Sequence, residues 1–373
     1  MASKRALSLI PTILTIAIAV APASVQGQVT HPDLTLTLSE PGVVTTQVRV
    51  TGAPDPSQPL KDWRELAAFP PDADSYIGSV TDVYVGSSRT ALLDGSSEVL
   101  VFDSAGRQVA AFGRRGEGPG EIVHGQAVAV ANDGTVFVAQ RTRVVKVFSP
   151  DSQGHYTERS SFPVPGLPYD LCVMDDRLVL RLYHAESKTM LQVYSFDGER
   201  ERGFGSGYPA GSALAQRTLS EQGQVACVPE QELVVVNWTY QPFLAAFTFA
   251  GSQLWHARID DHAVIPIEEK EGQGLRFTIP ESGKLWPTGL AATSAPSRPR
   301  GAIALASYRR VGSRGEAVVS VHLDAATGSL VAVDSTLGSY VYGSTIDGAL
   351  VAAGNVPEPR LVFLQSPDTS DRE

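Results

Sequence analysis

Short apolar runs alternate with turn residues along most of the chain, and one such pattern recurs. Its first copy reads Val101-Phe102-Asp103-Ser104-Ala105-Gly106. Comparable copies begin at Val147, Val193, Phe247, Val321 and Val362. Their starting positions are separated by 46, 46, 54, 74 and 41 residues. A period of that size indicates an array of repeated supersecondary units.

The clearest unit contains three apolar runs of strand length, at 126–130, 135–139 and 143–148. Asn132-Asp133-Gly134 separates the first two runs, and Asn and Gly accept the positive φ angles of a tight hairpin. A fourth run follows the recurring pattern, at 108–112, 156–164, 253–259 and 330–333. Four antiparallel strands per unit, arranged radially, predict an all-β fold, a six-bladed β-propeller with four-stranded antiparallel blades.

The sixth copy, at Val362, is followed only by a polar tail, so its blade lacks an outer strand. The segment 63–69 stands alone ahead of the first complete blade and has the length and pattern of a strand. We expect it to pair beside 360–365, because an N-terminal strand that completes the C-terminal blade removes the open sheet edges. The interval of 74 residues has two interpretations. We favour an insertion over 261–285, where Glu268-Glu269-Lys270-Glu271 lacks strand patterning; the alternative is a seventh blade.

The first residues have the pattern of a targeting element. Lys4 and Arg5 precede an apolar run over 6–20 and then small residues, which is typical of a secretory signal peptide. An uncleaved membrane anchor is the alternative. We divide the chain into a signal peptide (1–27), a lead-in (28–62) in which 43–50 has strand patterning, the propeller (63–367) and a disordered tail (368–373). We expect a secreted or periplasmic protein that is not embedded in the membrane after signal removal, because no second apolar segment has membrane length.

Composition narrows the classes of partner. The chain has 373 residues and is 43% hydrophobic, enough to bury a sizeable core, while plentiful Gly (34) and Pro (25) suit short strands and tight turns. The formal net charge of −10 disfavours nucleic-acid binding, since that binding relies on Lys and Arg displacing counterions from phosphates. Any basic site must therefore be local.

A family resemblance supports the same fold. Phe112-Gly113-Arg114-Arg115-Gly116-Glu117-Gly118-Pro119-Gly120-Glu121, with the strands at 127–130 and 136–139 that follow, resembles the NHL-repeat family of six-bladed propellers. It is similar in particular to exported bacterial members of unknown function. The match is clearest over 76–205, so it bears on fold more than on function. Where the family usually has an Asp after the second strand, this chain has Gln140, Arg181 and Asn237.

Related propellers include calcium-dependent hydrolases and lyases that keep acidic and amide residues around the central channel. The residues expected near the channel here are Asp82, Gln126, Asp170, Gln224 and Thr288. Calcium usually takes about six to eight oxygen ligands. We therefore expect no cofactor, with calcium on Asp82 and Asp170 as the alternative. No Gly-x-Ser-x-Gly elbow or zinc-type histidine spacing is present, so we assign no catalytic residue.

In a propeller, the loops after the second and fourth strands share one face. On that face we place Arg114, Arg115, Arg141, Arg143, Tyr183, His184, Trp238, Tyr240, Tyr308, Arg309 and Arg310. Arg and aromatic residues supply many interface hot spots, and Arg pairs bidentately with carboxylates. We therefore expect this face to bind a peptide, a protein or a small ligand. The alternative is that these are ordinary solvated loop residues.

The two cysteines, Cys172 and Cys227, fall at matching positions in the first strands of neighbouring blades. In an oxidising compartment they are candidates for a disulfide across the blade interface. The alternative is a pair of buried thiols, because packed sheets lie about 10 Å apart and a disulfide needs Cα atoms within about 7 Å.

These observations favour an exported binding or scaffold module over an enzyme. A calcium-dependent hydrolase or lyase, with its site at the central channel, is the alternative function.

Overall fold

The protein is described from a computed structural model. It describes residues 28–29, 44–48, 64–70, 76–263, 267–270, 274–278, 284–294, 301–310, 318–334, 340–345, 349–354 and 359–365. The expected signal peptide (1–27), most of the lead-in and the tail (368–373) lie outside these ranges.

Six blades, each with four antiparallel strands, form a ring, which confirms the expected six-bladed propeller. Blade I contains Val80–Val85, Arg89–Asp94, Val99–Asp103 and Gln108–Phe112. Blade II contains Gly125–Val130, Val136–Gln140, Val144–Pro150 and Tyr156–Pro163. Blade III contains Asp170–Met174, Arg177–His184, Thr189–Ser195 and Arg200–Ser206. Blade IV contains Val225–Val228, Leu233–Asn237, Phe243–Thr248 and Gln253–Ile259. Blade V contains Leu285–Ser294, Ala302–Arg310, Val318–Asp324 and Leu330–Asp334. Blade VI contains Tyr340–Ser344, Leu350–Gly354, Arg360–Gln365 and the N-terminal Arg64–Phe69.

The core lies between the blades rather than inside one layer. Among the described residues, each of the six blade interfaces has its own cluster of buried apolar side chains. The middle strands are covered on both faces, so every residue of Val136–Gln140 is buried. The outer strand Tyr156–Pro163 instead alternates between partly buried and exposed positions along most of its length. The first strands of consecutive blades contact one another around the ring and enclose its central channel.

The chain ends close the ring as expected. The N-terminal strand Arg64–Phe69 pairs antiparallel with Arg360–Gln365, with Phe69 opposite Leu361. Arg360 Nη2 donates to Glu65 Oε2 at 2.6 Å across this pair. The Phe69 ring lies 5.3 Å from that of Phe102 in blade I, edge to face. The closing strand therefore joins blade VI and also packs against blade I.

The long interval before the fifth blade holds an insertion and no seventh blade in the described residues. The expectation that it lacks strands was wrong. Ile267–Lys270 and Gly274–Phe277 form a hairpin that pairs with Gln28–Val29 from the lead-in. Hydrophobic alternation does not reveal such a strand, because its pairing depends on backbone groups and on a partner strand far away in the sequence.

Two further elements flank blade IV. Val44–Val48 adds a fifth strand, parallel to Gln253–Ile259, as the patterning over 43–50 indicated. The helix Ala213–Glu221 connects blades III and IV and was not predicted. Its N-cap residue Ser212 accepts a hydrogen bond from the Ala215 N–H at 3.1 Å, a favourable start for a helix. Within the described ranges, no helix combines the length and apolar character needed to span a membrane.

Cys172 and Cys227 form a disulfide between the first strands of blades III and IV, with their Cα atoms 5.6 Å apart. The spacing of about 10 Å assumed for face-to-face sheets does not apply at this position. Blades converge toward the axis of the ring, so their innermost strands lie closer together than their outer strands do.

Candidate functional site

The central channel widens into a cavity of about 130 Å³, which we call the upper chamber. All five residues expected near the channel line it: Asp82, Gln126, Asp170, Gln224 and Thr288. They come from the first strands of blades I to V or from the residues just before them. The chamber opens toward the face formed by the loops after the second and fourth strands, which we call the upper face.

Irregularities in the first strands help to aim polar residues into the upper chamber. The pairing register shifts by one residue at Thr81, Gln126, Thr288 and Tyr342. Such a β-bulge leaves one residue unpaired and can redirect its side chain. All four bulged residues line the chamber. The bulges therefore place polar groups at the channel without interrupting the apolar strands that carry them.

The two channel carboxylates also hold neighbouring blades together. Asp82 Oδ2 accepts the Val128 N–H at 2.8 Å, which links blades I and II. Asp170 Oδ2 accepts the Val225 N–H at 2.7 Å, which links blades III and IV in the same way. Asp170 Oδ1 accepts the N–H of Leu171 at 2.8 Å. These carboxylates thus have a structural role at the inner blade interfaces.

Burial shifts the protonation of both carboxyl groups toward the neutral form. Desolvation raises the pKa of Asp82 to about 6, although hydrogen bonds from the Val128 and Val83 N–H groups oppose the shift. Desolvation also raises the pKa of Asp170 well above its ordinary value, and the nearby Asp82 charge adds to the effect. The chamber wall therefore binds protons more readily than exposed carboxylates would.

Tyr84 reaches across the channel. Its hydroxyl accepts the Val173 N–H of blade III at 3.0 Å, so the side chain reaches from blade I to blade III. Burial raises the pKa of Tyr84 to about 12. Below it lies a second cavity of about 450 Å³, the lower chamber, whose rim includes Asp175 and Glu230. Tyr84 lines both cavities and forms part of the wall between them.

The donor set of the channel does not fit a calcium cage. Within the described residues, no group of three or more His, Cys, Asp or Glu side chains is placed to hold a metal ion. Both oxygens of Asp170 already accept backbone N–H groups, as does Oδ2 of Asp82. Calcium needs more oxygen ligands than two engaged carboxylates supply.

Two of the expected ligand-binding arginines lie together on the upper face. Arg115 and Arg141 line a groove of about 300 Å³ with Thr81 and Gln126. Thr81 and Gln126 also line the upper chamber, so the groove and the chamber share a wall. Arg141 Nε donates to Gln126 Oε1 at 3.0 Å, which orients the guanidinium beside the channel mouth.

The neighbouring arginines of the predicted face are engaged differently. Arg114 forms a salt bridge to Glu121, with Nη2 2.6 Å from Oε1. Arg143 is exposed in the turn after the second strand of blade II, and its positive charge acts on the buried Glu221 at the end of the helix. Arg309 is exposed near the end of its strand, whereas the Arg310 side chain lies outside the described part of the chain.

Three aromatic residues assigned to the upper face are instead buried, and this part of the prediction was wrong. They are Tyr183, Trp238 and Tyr308. Tyr183 packs over Gly207, and Tyr308 packs edge to face with His262 at 6.1 Å. Sorting loops by strand order places a residue near a face, but it does not say whether the side chain turns inward.

The remaining two expected residues keep local contacts. His184 Nδ1 accepts the Ser187 N–H at 3.2 Å within its own turn. Tyr240 is half-buried, with its ring 5.1 Å from Phe277 and 6.0 Å from Trp286. Tyr240 therefore contacts the insertion hairpin, which makes it part of the wall that supports the upper face.

Two notable residues were not identified as site residues from the sequence. Tyr84 lies in an apolar run, where alternation alone suggests an ordinary core residue. Arg181 was noted only as a departure from the family pattern, although it is fully buried beside Asp170. A charged residue inside an otherwise apolar middle strand, Leu178-Val179-Leu180-Arg181-Leu182, was the available signal.

Three solved structures align with most of this chain at low sequence identity. A "putative exported protein" from Bacteroides fragilis has a TM-score of 0.49 and 12% identity, over 87% of this chain and 100% of that one. The WD40 repeats of RRP9 give a TM-score of 0.49 and 11% identity, over 82% and 98%. The β-propeller domain of Cps50 (Swd1) from Myceliophteria thermophila gives 0.45 and 9%, over 79% and 98%. No family model and no curated protein matches the sequence.

Proposed function

We propose that this protein is an exported binding module that holds an acidic peptide segment at the mouth of the upper chamber. The observation that carries the proposal is the groove in which Arg115 and Arg141 lie together above a polar chamber. Export to the periplasm or beyond, and kinship with exported NHL-repeat propellers, belong to the same proposal.

The charges on the upper face support an acidic ligand. Neither Arg115 nor Arg141 forms an ion pair with a carboxylate among the residues that the structure describes, whereas Arg114 is paired with Glu121. Two like charges that share a groove repel each other, and a carboxylate between them relieves the repulsion. Arginine also suits this ligand because its planar guanidinium binds carboxylates bidentately.

The upper chamber also offers hydrogen-bonding partners for the backbone of a bound peptide. The side-chain amides of Gln126 and Gln224 can each donate to a carbonyl and accept from an N–H. The Thr288 hydroxyl donates to the Ser307 carbonyl at 3.0 Å and keeps acceptor capacity. Backbone groups of an extended segment would therefore meet both donors and acceptors on the chamber wall. The calcium-dependent hydrolase or lyase gains no support, because the channel donors do not fit the metal.

The test is a comparison of two short fluorescent peptides on one Gly-Ser scaffold, one carrying Glu residues and the other Lys at the same positions. Fluorescence anisotropy should show binding of the Glu peptide alone. The double variant Arg115→Ala, Arg141→Ala should weaken that binding about tenfold or more, equivalent to about 1.4 kcal/mol.

Arg159→Ala is the control, because Arg159 is an exposed outer-strand arginine paired with Asp197 at 3.1 Å. It should leave the affinity for the Glu peptide unchanged. Equal binding of the Lys peptide would show that the charge of the peptide does not govern binding. An equal loss of affinity in the Arg159 variant would show that net charge, and not the groove, governs it; either result would contradict the proposal.

A further inference from the structure

Arg181 is the most deeply buried charged side chain in the described part of the protein. It lies in the second strand of blade III and has no exposed surface. Its guanidinium carbon lies 5.2 Å from the centre of the Trp238 ring. Within the described residues, Nε, Nη1 and Nη2 all lack a hydrogen-bond partner from the protein. Buried guanidinium groups normally have partners, because an uncompensated buried charge is costly.

More unused hydrogen-bonding groups belong to the same blade interface. Asn237 Oδ1 accepts the Gln224 N–H at 2.7 Å, while Asn237 Nδ2 has no partner among the described residues. Trp238 Nε1 is likewise without a partner in that part of the chain, and so is the acceptor Gln224 Oε1. Donors therefore outnumber acceptors between blades III and IV.

Asp170 is the natural counter-charge for Arg181, yet the two do not pair directly. They are cross-strand neighbours in the register of blade III. No ion pair within 4.0 Å joins them in the described structure, and Asp170 directs both oxygens to backbone N–H groups. Burial lowers the pKa of Arg181 to about 9, which still leaves it protonated at neutral pH, and raises the pKa of Asp170. The arginine thus keeps a positive charge, and the carboxyl beside it binds a proton more readily than an exposed Asp does.

From this arrangement the structure assigns a small-anion site to the interface of blades III and IV, with the Arg181 guanidinium as its cation and Asn237 Nδ2 as a further donor. The site lies directly behind the chamber wall formed by Asp170 and Gln224. Its ligand is a singly charged anion of halide or acetate size, because the site offers one fully buried cation and its unused groups are mainly N–H donors. The site does not depend on the proposed peptide binding at the upper face.

Thermal unfolding at constant ionic strength tests the assignment. Sodium gluconate, whose anion is too large to enter, is replaced stepwise by sodium chloride or by sodium acetate. When chloride or acetate is present at about ten times its Kd, the bound anion should raise the Tm of the unaltered protein by about 2 °C. The chloride and acetate arms distinguish a halide ligand from a carboxylate. Arg181→Met should abolish the shift, whereas Arg159→Met, which removes an exposed charge, should keep it.

Asp170→Asn separates the anion site from a purely structural role of Arg181. If Arg181 only balances an ionised Asp170 at a distance, the unaltered protein gains nothing from chloride over gluconate. With an anion site, Asp170→Asn removes a competing negative charge and should keep or enlarge the Tm shift. Equal Tm values in chloride and gluconate, or a shift that persists in Arg181→Met, would overturn the assignment.

A crystallographic test uses only the unaltered protein, so it does not require any variant to fold. Crystals of the unaltered protein soaked in sodium bromide should show an anomalous peak within about 3.5 Å of the Arg181 guanidinium nitrogens, at hydrogen-bonding range for a large anion. An ordered water at that position, with no anomalous signal, would contradict the anion site.

Discussion

Replacing Phe69 with Ala should weaken the closure of the ring more than any other single substitution in the N-terminal strand. The Phe69 side chain is only 8% exposed, and its ring packs edge to face on Phe102 at 5.3 Å. Loss of a buried Phe side chain costs about 3–5 kcal/mol, from lost burial and the cavity left behind. For about 300 ordered residues, that corresponds to a decrease in Tm of about 5–8 °C.

Urea unfolding, followed by tryptophan fluorescence, measures the effect. Trp255 is fully buried in blade IV, and Trp238 and Trp286 also lie outside the closing strand, so most of the tryptophan signal reports global unfolding. Leu66→Ala is the matched control, since Leu66 lies on the same strand with 45% of its surface exposed. Its cost should stay within about 0.5–1 kcal/mol.

Deleting residues 63–69 should abolish the folded state, because blade VI would then lack its outer strand. Coincident unfolding midpoints for Phe69→Ala and Leu66→Ala would refute the closure argument. So would a truncated chain that unfolds at the Tm of the full-length protein.

Three further predictions concern the channel and its wall. Replacing Cys172 and Cys227 together by Ala opens a loop of 55 residues and should lower the free energy of unfolding by about 4 kcal/mol, read from the urea midpoint. Because the folded-state pKa of Asp82 is raised to about 6, the folded chain binds this proton more tightly than the unfolded chain. The contribution of Asp82 to the free energy of unfolding should therefore be largest below about pH 4, fall as the pH rises to about 6, and level off above it. Asp82→Asn should flatten that slope in urea titrations across the same pH range. Adding calcium or EDTA should change the Tm by less than about 1 °C, as expected where no calcium cage stabilises the fold.

The architecture was largely predictable because it follows from periodicity. The recurring pattern at Val101 and Val147 marks the third strand of each blade, and the fourth strands follow it at short distance. The missing strand after Val362 led to the closing strand Arg64–Phe69, since a propeller without closure exposes two sheet edges. These inferences use only which positions are apolar and where turns occur.

The functional details were less predictable because they depend on side-chain direction. Gln126 and Thr288 point into the channel at one-residue bulges, and a bulge leaves no mark on the apolar pattern. Trp238 is buried against Arg181 although it directly follows a strand, in a position assigned to a surface loop. Strand order can place a residue at one end of a blade, but neighbouring blades decide whether its side chain faces solvent.

The charges at the two ends of the channel bear on where an acidic ligand binds. The Tyr84 hydroxyl is held by the Val173 N–H on another blade, at the level where the upper and lower chambers adjoin. The lower rim carries exposed Asp175 and Glu230, on a chain whose formal net charge is −10. An acidic ligand is therefore repelled from the lower face and attracted to the arginines of the upper one. Salt screens charges over about 8–10 Å, so this preference should weaken as ionic strength rises.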